Sequence, residues 1–174
     1  MTSRIQARLP EDVVSVMEDF LTAEFTTISR SGYPVTWPVL PSLEKHSFHL
    51  AVASSIGLPQ KALNIRRDPR VCLLYSDPTG SGLIDPPTVR VQGVATADDR
   101  VLTSLDGIGD PAITDAFRRD SVRLLRRQPA VGIYTSNGLF RRLMDWYFLR
   151  LLIVIEPITI SWNRGRGWEQ ADVA

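Results

Sequence analysis

The sequence predicts one mainly-β α+β domain, an antiparallel sheet closed or nearly closed into a barrel, with helices at its side. Three observations predict it. Segments rich in β-branched residues recur at short intervals between turn signals, which favours hairpins over parallel crossovers. Segments with the helical spacing of apolar residues flank them. The 174 residues, 44% hydrophobic and 22% charged, suffice for one core and are short for two.

Each element has its own signal. Pro10-Glu11-Asp12 opens a helix, with proline in the first turn and acids at the positive dipole end. Val13, Val14, Met17, Phe20 and Leu21 carry its apolar face to about residue 24. Phe25–Ser29 reads as a strand, Arg30–Tyr33 as a turn, and Pro34–Leu43 as a second extended segment. Prolines 34, 38 and 41 lack the N–H a central ladder needs, so this strand lies at an edge, is bulged, or faces a ligand. Lys45-His46 turns into a third strand, Ser47–Ala53, and the polar stretch Ser54–Gly57 follows.

Pro59–Arg67 predicts a short helix stopped by Asp68-Pro69. Val71–Ser76 and Thr88–Ala97 are strands around a Pro- and Gly-rich loop, with Gly93 at a bulge. Asp98 and Asp99 would start a short helix toward Leu105. Ile113, Phe117, Val122, Leu124 and Leu125 mark a helix ending near Gln128-Pro129. Its other face carries Arg118, Arg119, Arg123, Arg126 and Arg127, a stripe that suits solvent or a dimer contact. Tyr147–Ile155 and Ile158–Trp162 are two closing strands divided by Glu156-Pro157, and the polar tail from Asn163 is expected to fray. The domain thus divides into an N-terminal helix, a barrel core over 25–97, a helical insertion over 98–128 and closing strands over 147–162.

Composition excludes some functions. Twenty basic side chains against nineteen acidic ones give no global pull toward nucleic acid or an anionic membrane. No aromatic residues interleave the arginine stripe, which argues against nucleic acid there too. The single cysteine, Cys72, rules out an intrachain disulfide and reads as a buried, inert thiol. Met1–Pro10 holds two arginines and no apolar core of a leader. Trp146–Ile155 is interrupted by Arg150 and falls short of the roughly 20 apolar residues that span a bilayer. The expectation is a cytoplasmic protein with no membrane or nucleic-acid partner.

No GxGxxG, GxxxxGK, HExxH or paired CxxC is present. His46 and His49, three apart on an extended segment, point to opposite faces and make a poor metal pair. The informative stretch runs from Ala51 to Arg70. Hydroxyls of Ser54 and Ser55 stand at a strand end, helix-start N–H groups follow, and Lys61 sits in the first turn after Gln60. Together they suit a phosphate or another anion. The plainer alternative is a serine cap beside a solvated lysine. Trp37 and Trp162 read equally as core or interface.

The ordered segments "SGYPVTWPV", "FHLAVASS", "PQKALNIRRDPRVCLLY" and "VRVQGVA" resemble the pyridoxamine 5′-phosphate oxidase-like flavin-binding proteins, including their deazaflavin-using branch. The resemblance covers Phe25 to Ala97, with an echo in "LLIVIEPITISW". It implies a split β-barrel and a homodimer with the cofactor at the subunit interface. The implied cofactor is FMN or, alternatively, the deazaflavin coenzyme F-420. Lys61 would hold the cofactor phosphate, helped by Ser54 or Ser55 and by the backbone at Gln60. Thr36, Trp37 and Pro38 would lie along the ring, and Gln92 would reach the cofactor of the second subunit. The implied activity is hydride transfer to or from an unidentified small molecule, with no catalytic side chain named; the alternative is a non-catalytic flavin- or haem-binding barrel. Two departures matter: Pro59 stands where relatives often carry arginine or serine, and the strand Pro34–Val39 offers no arginine, which leaves fewer cationic contacts for FMN and leaves room for a different cofactor. The residues that the oxidases use to grip pyridoxal phosphate are not recognisable either, which argues against pyridoxamine phosphate oxidation itself.

Overall fold

The computed structural model describes residues 9–127 and 149–173. In chain order the elements are α1 (Glu11–Asp19), β1 (Ala23–Ile28), β2 (Pro34–Val39), β3 (Ser42–Leu43), β4 (Leu50–Ser55), α2 (Gln60–Arg67), β5 (Arg70–Tyr75) and β6 (Thr88–Leu102). A short 3-10 helix (Leu105–Ile108), α3 (Pro111–Arg127), β7 (Arg150–Asn163) and β8 (Trp168–Asp172) follow. The eight strands form one antiparallel sheet in the order β2-β1-β5-β6-β7-β4-β3, with β8 added on β7. It is a split β-barrel with flanking helices. Among the described residues no helix is long and apolar enough to cross a membrane.

The main core fills the barrel. Phe25, Leu50, Leu73, Val89, Ile153 and Ile160 are fully buried there, with Val13, Val16 and Met17 of α1 packed over one end. Phe20 meets Tyr75 edge to face with ring centroids 6.2 Å apart. A second, smaller cluster joins Ala51 and Leu152 on the opposite sheet face to Leu102, Ile108, Ile113 and Phe117. One face of β4 therefore looks into the barrel, and the other looks at the 3-10 helix and α3.

Several expectations hold. β2 ends the strand order, so its prolines lie at an edge. Gly32, at φ 82°, makes the turn before it. The register of β6 against β7 slips between Gln92 and Gly93. Ile158 is the extra residue there, and Pro157 sits opposite Gly93, where the interrupted ladder tolerates the missing N–H.

Four expectations need correction. The first helix stops at Asp19, because Phe20 turns extended to bury its ring, and Ala23-Glu24 already belong to β1. Asp98 and Asp99 start no helix: β6 runs on to Leu102. They bulge from the strand, the Asp98 carboxylate accepting from the Arg100 backbone N–H at 2.9 Å and from its Nε at 2.8 Å. The proline at 157 does not divide two strands; β7 is continuous across it because the bulge absorbs the defect. Nor does the tail fray. Gly165 and Gly167, at φ 83° and 111°, turn the chain back, and β8 pairs with β7 from Thr159–Asp172 to Asn163–Trp168.

Two arginines of the α3 stripe also make contacts within the chain. Arg123 donates to the Glu18 carbonyl and pairs with Asp19 at 3.1 Å; Arg119 donates to the Leu43 carbonyl at 3.2 Å. Both arginines flank the buried Asp120. Arg119 and Arg123 latch α3 to α1 and β3, while Arg118 and Arg126 stay exposed. The buried face of α3 is Ile113, Ala116, Phe117 and Asp120, while Val122 and Leu125 are exposed. The expected stop at Gln128-Pro129 and the first residues of the expected strand, Tyr147 and Phe148, lie outside the described residues.

Candidate functional site

The sequence stretch singled out for anion binding folds as expected into strand, loop and helix. Extended backbone ends at Ser55, and after four intervening residues α2 begins behind Pro59. Two serines close the intervening loop. Ser54 Oγ donates to the Leu58 carbonyl at 3.1 Å, and Ser55 Oγ accepts from the Gly57 N–H at 3.2 Å. Consecutive strand residues face opposite ways, so Ser54 shares the barrel face of Leu50 and Val52, while Ser55 shares the face of Ala51 and Ala53.

No side chain caps α2. The first N–H groups of a helix have no intrahelical acceptor, and here the head of α2 keeps them. Lys61 stands in that first turn with only 9% of its surface exposed. Its Nζ lies 5.2 Å from the centroid of the Trp37 ring, in cation–π range. Among the described residues no carboxylate pairs with it. Burial accordingly holds its ammonium below the ordinary lysine range.

The helix is held by a buried residue that the sequence reading assigned no role. Asn64, fully buried, donates to Thr27 Oγ1 of β1 at 2.9 Å. Its carbonyl oxygen accepts from Gln60 Nε2 at 3.0 Å and from Arg67 at 3.1 Å, and Arg67 also reaches the Ile28 carbonyl at 2.8 Å. The available signal was a polar side chain three residues after Lys61, on the same helix face. α2 is thus fixed to β1, and Lys61 with it.

The remaining candidates divide between two sheet faces. Trp37 pairs in register with Phe25, which pairs with Leu73, so it belongs to the barrel side together with Lys61. Thr36 and Pro38 face the other way. Thr36, Thr26, Cys72, Gln92 and Thr159 form one row across five strands of the outer face. The hydroxyls of Thr26 and Thr36 are 2.8 Å apart. Gln92, exposed, stands three strands from Thr36, roughly 14 Å by ladder spacing. Trp37 and Lys61 therefore meet within one chain; Thr36, Pro38 and Gln92 lie on a surface that no helix of the described residues covers. Trp162 is core, 5% exposed, with its indole nitrogen unpartnered among the described residues. His46 lies exposed in the turn before β4, with His49 half-buried beside it. Burial raises the thiol of the half-buried Cys72, as expected of an unreactive group.

No family model matches the chain, and no curated protein matches it in sequence. Solved structures do. A protein related to general stress protein 26, of the pyridoxine phosphate oxidase family, from Clostridium acetobutylicum is similar over 91% of this chain and 90% of its own, with a TM-score of 0.54 at 10% identity. The fold is that of the pyridoxamine 5′-phosphate oxidase-like proteins. An F-420 reductase matches at TM-score 0.51 and 17% identity, covering 88% of this chain and 98% of its own. A haem-binding protein from Mycobacterium smegmatis matches at 0.54 and 15% identity, covering 95% of this chain and 59% of its own.

Proposed function

We propose that this chain is a flavin-binding oxidoreductase that moves a hydride between a bound flavin and a small molecule. FMN is the favoured cofactor, with the deazaflavin coenzyme as the alternative. The observation that carries the reading is Lys61: a residue only 9% exposed, without a carboxylate partner among the described residues, at an uncapped helix head. Such a cation is costly to bury unless an anion compensates it. A cofactor phosphate is that anion. It would be held by Lys61 and the N–H groups around Gln60, with Ser54 or Ser55 beside them.

When bound, the flavin supplies the ring that takes or gives the hydride. The chain's own contribution is placement. Trp37 shields the ammonium from water, which strengthens its attraction for a phosphate. Thr36 and Pro38, together with Gln92 of a second copy, would line the ring at the interface of a homodimer. With no arginine on β2 and proline at 59, the phosphate has fewer cationic contacts than in the oxidases the sequence resembles, and pyridoxamine phosphate is not the proposed substrate.

A second reading is a binder without turnover. Two observations favour it: no imidazole or carboxylate contacts Lys61 among the described residues, and a haem-binding protein shares the fold. Titrating the purified protein with FMN, coenzyme F-420 and haem separates the readings. We expect flavin fluorescence to quench on binding, and Lys61→Met to weaken FMN at least tenfold while Lys61→Arg retains most of the affinity. Unchanged FMN affinity in Lys61→Met overturns the site. Binding without reduction by NAD(P)H or reduced deazaflavin supports the second reading.

A further inference from the structure

We propose that a second copy docks on the outer sheet face around a two-fold axis lying along β5, with Glu24 of each copy paired to Arg90 of the other, a geometry that rests on the homodimer proposed above.

β5 is the middle one of five neighbouring strands, β2-β1-β5-β6-β7. Beside the threonine row already described, a second row crosses the same face: Pro38, Glu24, Leu74, Arg90 and Ser161. Glu24 and Arg90 thus stand one strand to either side of Leu74, roughly 10 Å apart by ladder spacing. Both are half-buried, and among the described residues neither has a partner of opposite charge. The Glu24 carboxylate accepts from the Ser76 hydroxyl at 2.9 and 3.0 Å. The Arg90 guanidinium lies over the Trp168 ring at 4.8 Å and donates to Ser161 Oγ at 3.4 Å. Its buried Nε has no acceptor among the described residues.

Charge chooses the axis. Two identical sheet faces can meet around a two-fold axis that runs across the strands or along them. An axis across the strands, through this row, sets Glu24 against Glu24 and Arg90 against Arg90. An axis along β5 exchanges the two sides and sets each Glu24 against the Arg90 of the other copy. A self-complementary interface then satisfies both pairs at once. Covering a half-buried ion is costly unless its counterion arrives with the cover, and like charges facing each other reject the wrong arrangement.

The same axis completes the proposed cofactor groove. Within one chain Gln92 stands three strands from Thr36. Turned around β5, Gln92 of the second copy lies opposite Thr26, whose hydroxyl is 2.8 Å from that of Thr36. Each groove is therefore built from both copies.

The test is charge reversal on the full chain, read by sedimentation equilibrium, with circular dichroism to check folding. The parent should be a dimer. Glu24→Arg and Arg90→Glu each set like charges together at two symmetry-related contacts, and each should weaken self-association roughly a hundredfold. Mixing the two variants restores opposite charges at both contacts of the mixed dimer, so the mixture should associate to within about tenfold of the parent. Should a reversal unfold the chain, Glu24→Gln, Arg90→Gln and their combination read the same pair, and purely additive effects overturn it. A monomeric parent, single reversals that dimerise like the parent, or a mixture that stays monomeric also overturns the proposal. FMN titration keeps the two readings apart. Unchanged FMN affinity in Lys61→Met removes the cofactor site alone, and a dimer insensitive to both reversals removes the axis alone.

Discussion

Gly93→Ala tests the centre of the fold. A Cβ at position 93 would lie 2.2 Å from the Glu156 carbonyl oxygen, 3.0 Å from the carbonyl carbon and 3.1 Å from Pro157 Cα. All three atoms are backbone, so no side chain can swing aside. The strands β6 and β7 must separate by most of an ångström, at the bulge where fully buried Val91 and Ile160 stand beside them. Overpacking of this kind costs typically 1–3 kcal/mol. With rigid backbone on both sides we expect the upper end, about 3 kcal/mol. For a chain of this size that corresponds to a melting temperature about 6–12 °C lower. The assay is urea unfolding followed by tryptophan fluorescence and far-ultraviolet circular dichroism, with coincident transitions required. Gly32→Ala is the control. Nothing stands within 4 Å of its Cβ, but its φ of 82° is left-handed, which costs roughly 1–2 kcal/mol by itself. If Gly93→Ala falls within about 0.5 kcal/mol of the parent, or proves milder than Gly32→Ala, the close approach of β6 and β7 is wrong.

Further perturbations follow from the polar groups. Asn64→Leu leaves Thr27, Gln60 and Arg67 without their shared partner and should cost about 2–3 kcal/mol in the same urea assay; a loss below about 1 kcal/mol would remove Asn64 as the anchor of α2. Burial pushes the Glu44 carboxyl up, but hydrogen bonds from the Ser47 hydroxyl and the backbone of His46 and Ser47 outweigh it and leave it below the ordinary value. Its contribution is therefore present above about pH 4.5 and lost as pH falls through the lowered value. The stability gap between Glu44→Gln and the parent should close in acid, and a gap constant from pH 7 to 3 contradicts this. Lys61 runs the other way: below its lowered value both states are protonated and the burial cost is complete, and stability rises with pH up to the ordinary value of 10.5. Lys61→Met should flatten that rise below the ordinary value of 10.5, and a slope identical to the parent's counts against a buried ammonium. The Tyr75 hydroxyl is fully buried with no partner among the described residues; Tyr75→Phe should match the parent or gain up to about 1 kcal/mol, whereas a loss above that reveals an acceptor.

Local chemistry made most of the fold legible. Gly93 at a bulge, proline-rich β2 at an edge, and α2 bounded by Pro59 and Asp68 are each dictated by one residue's backbone limits, and such limits travel with the sequence. The errors have tertiary causes. Pro157 reads as a breaker until a bulge opposite Gly93 accommodates it. The tail from Asn163 looks too polar for a strand, yet Trp168 lies over the Arg90 guanidinium at 4.8 Å and Arg164 reaches Asp12 at 2.9 Å. Both contacts bridge distant segments. For the candidate site, Lys61 and the strand–loop–helix around it were readable from hydroxyl, proline and lysine spacing. The partition of Thr36 and Trp37 between two faces also follows from strand alternation, but which face holds Lys61 depends on where α2 packs. The smaller cluster around Phe117 was invisible because its residues come from five elements, β4, β6, the 3-10 helix, α3 and β7.

β4 pairs with β7 over six consecutive positions, Leu50–Ile155 through Ser55–Arg150, and its side chains alternate between the barrel core and the smaller cluster beside α3. Sliding this strand by a single residue would exchange the two linings wholesale, turning Ala53 toward α2 and Ser54 toward Phe117. Two packing faces are thereby tied to one hydrogen-bond ladder. Removing one residue from the turn between Leu43 and Leu50 should disrupt both together, where point changes on either side disturb them singly.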